Sequence, residues 1–242
     1  KKIYRTKINE ALASIRMLKA TKEGDDRRFS KYGDFLYGKP TEENSAYITS
    51  TLINRFATKK NGGEDKKRGR AALLEFLSTL PQSATAESFD KNLFPKGVEI
   101  KGDVESAEEM EVVFIEALKE IGIDDWQVVV DTTSGLRGVN SSQENKEVNI
   151  PSTEVLLERK MSKQKLMGLV EHEIKTHALR RFNGERSRLK LLGLGLDRYI
   201  KGEEGIATYA EQQVKGADDF AGIPKYLAIA IAKGLGGQLR DF

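Results

Sequence analysis

The sequence predicts an α+β protein, mainly helical, with a small sheet packed on one function-bearing helix. Three observations lead there. Apolar residues recur at helical spacing through residues 3–58. Two short runs rich in β-branched residues, Trp126–Val130 and Lys146–Ile150, lie near the middle of the chain. Directly after them comes a helical pattern holding the only two histidines of the 242 residues, His172 and His177.

In the N-terminal part, Ile8, Leu12, Ile15 and Leu18 form one stripe, and Phe29, Tyr32, Phe35 and Leu36 a second that Pro40 ends. Tyr47, Leu52, Ile53 and Phe56 form a third, and all three read as core. Lys59–Arg70, basic and carrying Gly62-Gly63, reads as an exposed linker. A short buried helix follows at Ala71–Leu77. Residues 81–103 read as irregular, with a turn at Phe94-Pro95-Lys96-Gly97. Ser106 and Glu109 make a capping box for an amphipathic helix that stops at Gly122. The two strands come next, joined through Ser134-Gly135-Leu136-Arg137-Gly138 and ended by Pro151. Beyond the histidines, Gly193-Leu194-Gly195 lacks the third glycine of a dinucleotide site and reads as a loop. Ile223-Pro224 opens an Ala/Leu/Ile helix reaching about Lys233. The expected division is a helical region over 1–90 and a catalytic domain over 91–242, the latter expected to continue past Phe242.

The histidine stretch reads Val170-Glu171-His172-Glu173-Ile174-Lys175-Thr176-His177. Leu166, Leu169, Val170 and Ile174 give it helical periodicity, Ser162 is its expected N-cap and Asn183-Gly184 its expected stop. The pattern is one residue longer than the His-Glu-x-x-His of zinc peptidases, in which two ligands stack one turn apart and the glutamate is the base. On a regular helix, positions five apart diverge by about 140°, against about 40° for four apart. A π-bulge, which pairs i with i+5, absorbs the extra residue. With no cysteine in the chain, a third ligand has to be Asp or Glu. The best candidate, Glu204, lies in Gly202-Glu203-Glu204-Gly205-Ile206-Ala207-Thr208-Tyr209-Ala210-Glu211, a stretch that begins a second helix. Glu211, two turns further on, is placed to orient a ligand histidine through its other ring nitrogen. Small Gly205 and Ala207 are expected to let the two helices approach closely.

Together, His172-Glu173-Ile174-Lys175-Thr176-His177 and Glu203-Glu204-Gly205-Ile206-Ala207 resemble the tyrosine carboxypeptidases, the family of the microtubule-associated enzymes and of bacterial proteins with a Gln-Glu-Gly-Leu-Ala motif. The first motif there commonly reads His-Glu-Ile-Gly-Thr-His, so Lys175 stands where the family has glycine. Arg180, Asn183 and Gly184 follow as in the family, and Glu203 replaces the glutamine. The resemblance covers about residues 145–212, with Leu36–Pro40 a further similar segment. It implies one zinc on His172, His177 and Glu204, with Glu173 as base, and a zincin-like catalytic part. It also implies removal of a C-terminal residue, whether tyrosine, another aromatic or an acidic one, from a peptide or protein tail. The alternatives are a zinc peptidase or amidase of another specificity, and a catalytically silent interaction protein.

Capturing a terminal carboxylate calls for a fixed cation, and Arg137, Lys96 and Arg180 are the candidates. Tyr199, Tyr209 and Arg180 are candidate oxyanion donors. The strand before the histidine helix offers an edge to align an extended peptide. Lys+Arg 40 against Asp+Glu 37, a net +3, does not point to nucleic acid. No apolar run is long enough to span a membrane; the absence of cysteine permits any compartment, with the cytoplasm the default expectation. The Lys59–Arg70 run suits an acidic partner such as a tubulin tail.

Overall fold

The computed structural model describes residues 2–58, 63–83, 99–196, 199–215 and 223–235. In chain order its elements are α1 (Lys2–Glu23), α2 (Asp26–Tyr37), α3 (Glu42–Thr58), α4 (Glu64–Ser78), α5 (Ala107–Glu120), β1 (Gln127–Asp131), β2 (Asn140–Ser142), β3 (Glu147–Pro151), α6 (Thr153–Arg159) and α7 (Lys163–Leu169). A π-helix over Val170–Ala178 runs straight on into α8 (Leu179–Arg186). A 3₁₀ turn at Lys190–Leu194, α9 (Tyr199–Lys215) and α10 (Ile223–Ala232) follow. The protein is thus mainly helical with a three-stranded sheet. No helix among the described residues is long and apolar enough to cross a membrane.

The chain divides into two compact units, one of Lys1–Gly38 with Phe94–Ala221 and one of Lys39–Leu93 with Gly222–Phe242. The N-terminal helix pair therefore groups with the histidine segment, and the C-terminal helix with α3 and α4.

In the first unit, the core gathers α5, the sheet, α6 and the histidine-bearing helix around Phe114, Met110, Val148, Ile150, Leu156, Val170 and Ile174. Ser106 caps α5 by accepting from Glu109 N–H at 3.2 Å. The returning bond of the capping box reaches one residue further back, with Glu105 N–H donating to Glu109 Oε2 at 2.8 Å. The sheet order is β1-β3-β2. β1 and β3 run parallel, and β2 pairs antiparallel with β3. The two expected strands are thus not hairpin partners. The hairpin is β2–β3, and β2 escaped notice because Asn-Ser-Ser has no apolar alternation. Its pairing of Ser141 with Val148 puts both side chains on one face, the face on which Val148 is fully buried.

α1 and α2 pack through Ala13, Ala20, Met17 and Gly33, a small-residue seam that allows close approach. The expected core stripe of α1 lies on its other side: Ile8, Leu12, Ile15 and Leu18 are exposed, as are Phe29 and Phe35 of α2. Helical periodicity identified the helix but not which face it buries, because the seam is built from small residues.

The second unit has its own core of Ile48, Leu52, Leu77, Leu80 and Leu227. Tyr226 on α10 accepts from Thr41 N–H at 3.0 Å, tying that helix to the start of α3. The start of the expected linker, residues 59–62, lies outside the described residues; its remainder from Glu64 joins the expected short helix in one helix, α4, in which Glu64 and Asp65 favour the N-terminal dipole. Ala71, Ala72 and Leu73 are exposed on it, and Leu77 carries the burial.

Candidate metal centre

The helix from Lys163 to Arg186 starts where expected, with Ser162 Oγ accepting from Lys165 N–H at 3.2 Å. It becomes a π-helix over Val170–Ala178. There Leu179 N–H reaches the Ile174 carbonyl, and Thr176 Oγ1 donates to Glu171 O at 2.9 Å. Pairing i with i+5 over nine residues brings His172 and His177 onto one side, ring centroids 5.1 Å apart. Lys175 sits in the π-helix without any special backbone angle and pairs with Glu171 at 2.9 Å.

α9 faces this segment with Glu203, Ala207 and Glu211, all buried and spaced by four. Ala207 packs as expected, whereas Gly205 has nothing near it. The close approach is made instead by Gly168, where an added Cβ would lie 3.1 Å from Glu211 Cγ.

Glu204 stands between the two rings. Its carboxylate oxygens lie 3.6 Å from His172 Nε2 and 3.5 Å from His177 Nε2. One ligand atom from each of these three residues falls within 4.8 Å of the others. Each histidine is held from behind by a second carboxylate. His172 Nδ1 meets Glu211 Oε2 at 3.2 Å, and His177 Nδ1 meets Glu203 Oε1 at 2.8 Å. Both Nε2 atoms are therefore turned towards Glu204, the orientation in which imidazoles serve as ligands. Tetrahedral bonds of the length zinc makes to nitrogen and oxygen set ligand atoms about 3.3 Å apart, close to the two histidine–Glu204 separations. The donor set fits a divalent cation.

The same cavity, about 370 Å³, is lined by Tyr37, Asn140, Ser141, Gln143, Glu173, Arg180, Tyr199 and Ile200 besides the two histidines, Glu203 and Glu204. Glu173 is buried, and Ser141 Oγ donates to its Oε2 at 2.7 Å. Burial raises the Glu173 carboxyl above its ordinary value, against the pull of Ser141 and the histidines. Burial alone would lower His172, but the nearby carboxylate of Glu204 and the hydrogen-bonded one of Glu211 outweigh it and carry it to about 10. Glu211 shows the counterpart: burial opposes ionisation, yet His172 and Lys215 bring it down to about 2. Glu203 is likewise lowered by His177 and Arg180 in spite of burial. The carboxylates around His172 thus favour positive charge at this position, as a bound cation would require.

The expected residues separate clearly. His172, Glu173, His177, Glu204 and Arg180 meet in the cavity, and Glu211 backs His172. Arg180 has its guanidinium engaged: Nε donates to Glu203 Oε1 at 2.8 Å, Nη2 to Gln143 Oε1 at 3.0 Å, and Nη1 to the Leu192 and Gly193 carbonyls. Arg137 is not brought to the cavity, since its loop turns it out to pair with exposed Glu158 at 2.7 Å. Tyr209 follows Glu204 by five residues on a regular helix, so it points elsewhere and is 56% exposed. Lys96 and the Phe94–Gly97 turn lie outside the described residues. Of the expected oxyanion donors, Tyr199 lines the cavity alongside Arg180, their groups 4.9 Å apart.

Glu203, Ser141 and Gln143 were not singled out in the sequence. The Glu203–Ala207–Glu211 spacing was a usable signal for the first; nothing in Asn140–Gln143 marked the others. Gly184 also differs from expectation. It is no helix stop, because α8 continues to Arg186 and Gly184 admits the backbone of Leu192 and Gly193. Gly193 and Leu194, expected in a loop, belong to a 3₁₀ turn.

Comparison with curated proteins and with solved structures gave no match. Residues 102–218, which hold the sheet, both histidines, Glu173, Glu203, Glu204 and Glu211, match the model of the family described as microtubule-associated tyrosine carboxypeptidase. Through that segment the chain is similar to the tyrosine carboxypeptidase family.

Proposed function

We propose that this protein is a zinc-dependent carboxypeptidase that removes a C-terminal residue, tyrosine or another aromatic or acidic one, from a peptide or protein tail. The observation that carries the proposal is Glu204 reaching both histidine Nε2 atoms in the cavity that also holds Glu173. The match of residues 102–218 to the tyrosine carboxypeptidase family supports the peptidase chemistry and the terminal specificity.

His172, His177 and Glu204 would hold the ion. When bound, zinc supplies Lewis acidity that acidifies water and polarises a carbonyl. Glu173 would take the proton of the attacking water and pass it to the departing amine nitrogen as the carbon–nitrogen bond breaks. Burial, which makes Glu173 more basic, suits it to that exchange. Ser141 would hold the carboxylate in place. β2 is the edge strand beside the cavity, with its outer side unpaired in the sheet, so a substrate would lie along Asn140–Ser142. β3, expected to offer the edge, is central.

The test is a matched pair of tyrosine-ended peptides, one with a free C-terminus and one amidated, followed by mass spectrometry with added zinc. Loss of one residue from the free acid alone is expected. Equal cleavage of both, or internal cuts, would refute the carboxypeptidase reading. Glu204→Ala should also lose zinc by metal analysis, and full occupancy in that variant would move the third ligand elsewhere.

A further inference from the structure

The two histidines are not backed alike. Glu211, behind His172, is shared with Lys215 on its own helix. Glu203, behind His177, is shared with Arg180: Oε1 accepts from Arg180 Nε and lies against His177 Nδ1, both at 2.8 Å. Arg180 is itself fixed on several sides. Gln143 Oε1 in the turn after β2 accepts from Nη2, the Leu192 and Gly193 carbonyls accept from Nη1, and the Tyr199 ring lies 4.9 Å away. The Gln143 turn is anchored in its turn, since Lys146 pairs with Asp125 at 2.6 Å and with Glu185 at 2.7 Å.

We propose that Arg180 is a positioning residue for the metal centre, acting through Glu203 to fix the His177 ring, and that this makes Arg180 and Glu203 a single functional unit distinct from Glu211. The inference rests on the metal-site reading above. A carboxylate that accepts from two donors at one oxygen is held in direction by whichever donor is more rigid. Here that donor is the guanidinium, whose planar fork is locked by three other groups. His177 Nδ1–H then has one acceptor in one place, which sets its tautomer and turns Nε2 towards Glu204. Glutamate at 203 places a full negative charge against both the guanidinium and His177 Nδ1, so both bonds are charge-assisted. The chain Gln143–Arg180–Glu203–His177 also joins the turn after the edge strand to a ligand of the ion.

The experiment measures zinc affinity of the full chain by competition with a chromophoric chelator, so that no turnover is needed. Glu203→Gln keeps shape and an acceptor oxygen, and should weaken zinc binding by about 10–100-fold. Arg180→Met should weaken it by about 10-fold in the native background. Combined with Glu203→Gln it should change affinity by less than about 3-fold, because residues acting through one another do not add. Combined with Glu211→Gln, which has no link to Arg180, it should keep its full effect. Should Arg180→Met fail to fold, Arg180→Lys, which cannot serve four acceptors with a fork, carries the same cycle. Additive losses with Glu203→Gln, or unchanged affinity in Arg180→Met, would overturn the proposal while leaving the zinc site standing. A native protein that binds no zinc would bring down both.

Discussion

The hydroxyl of Ser141 donates to Glu173 Oε2 across 2.7 Å, joining the edge strand to the π-helix. Burial holds the Glu173 carboxyl above its ordinary value, and this bond opposes the rise. Ser141→Ala should raise the Glu173 carboxyl further. The acidic limb of the pH–rate profile should then move to higher pH, because the base works only when ionised, and kcat/KM should fall by about 3–10-fold. A limb that stays in place would remove Ser141 from control of the base.

Glu173→Gln keeps the ring of ligands untouched and cannot accept a proton. Zinc content should stay near that of the native protein while kcat drops by about 10²–10⁴-fold. Near-native turnover would exclude Glu173 as base.

Gly184 touches the 3₁₀ turn so closely that an added Cβ would lie 2.2 Å from Gly193 N and 2.4 Å from Leu192 C. Both neighbours are backbone and cannot swing aside. Gly184→Ala should therefore destabilise the protein by about 1–3 kcal/mol in denaturant titration. The control is Gly205→Ala in α9, where nothing lies within 4 Å; helix propensity predicts a gain of about 0.5–1 kcal/mol there. Equal effects at the two positions would contradict the packing.

Stability of the metal-free protein should depend on pH at both ends. His172, raised from 6.5 to about 10, contributes stability that is full below about pH 6.5 and is lost as pH rises through about 10. Glu211, lowered from 4.5 to about 2, contributes stability that is full above about pH 4.5 and is lost as pH falls through about 2. The thermal midpoint in chelator should thus be highest between about pH 4.5 and 6.5 as far as these two groups set it. Zinc should flatten the alkaline limb, because a ligating imidazole carries no proton to lose. A metal-free midpoint that is level from pH 7 to 10 would contradict the His172 assignment.

What the sequence by itself determined is whatever local spacing controls. The helix around the histidines, its Ser162 cap, the Ser106 cap of α5 and the two apolar strands all follow from caps and periodicity over a few residues. The grouping of the candidate ligands was legible too: the histidine pair and Glu204, expected as one cluster in a chain without cysteine, come together in the structure. A π-bulge was expected as the way to absorb the extra residue between the histidines, although its extension into a nine-residue π-helix was not. Long-range pairing decided the rest. β2 exists only because Asn140–Ser142 find β3, and that pairing carries Ser141 to Glu173. Glu203 and Glu204 are neighbours in sequence, yet the packing of α9 on the π-helix buries one behind His177 and leaves the other between both rings. Arg137 and Arg180 as carboxylate-binding cations, and Tyr209 as an oxyanion donor, were open candidates until the fold turned Arg137 and Tyr209 away from the cavity and tied Arg180 to Glu203. The α1 stripe shows the same limit: a periodic pattern gives a helix two faces, and only its partner, here a seam of small residues against α2, selects the one that is buried.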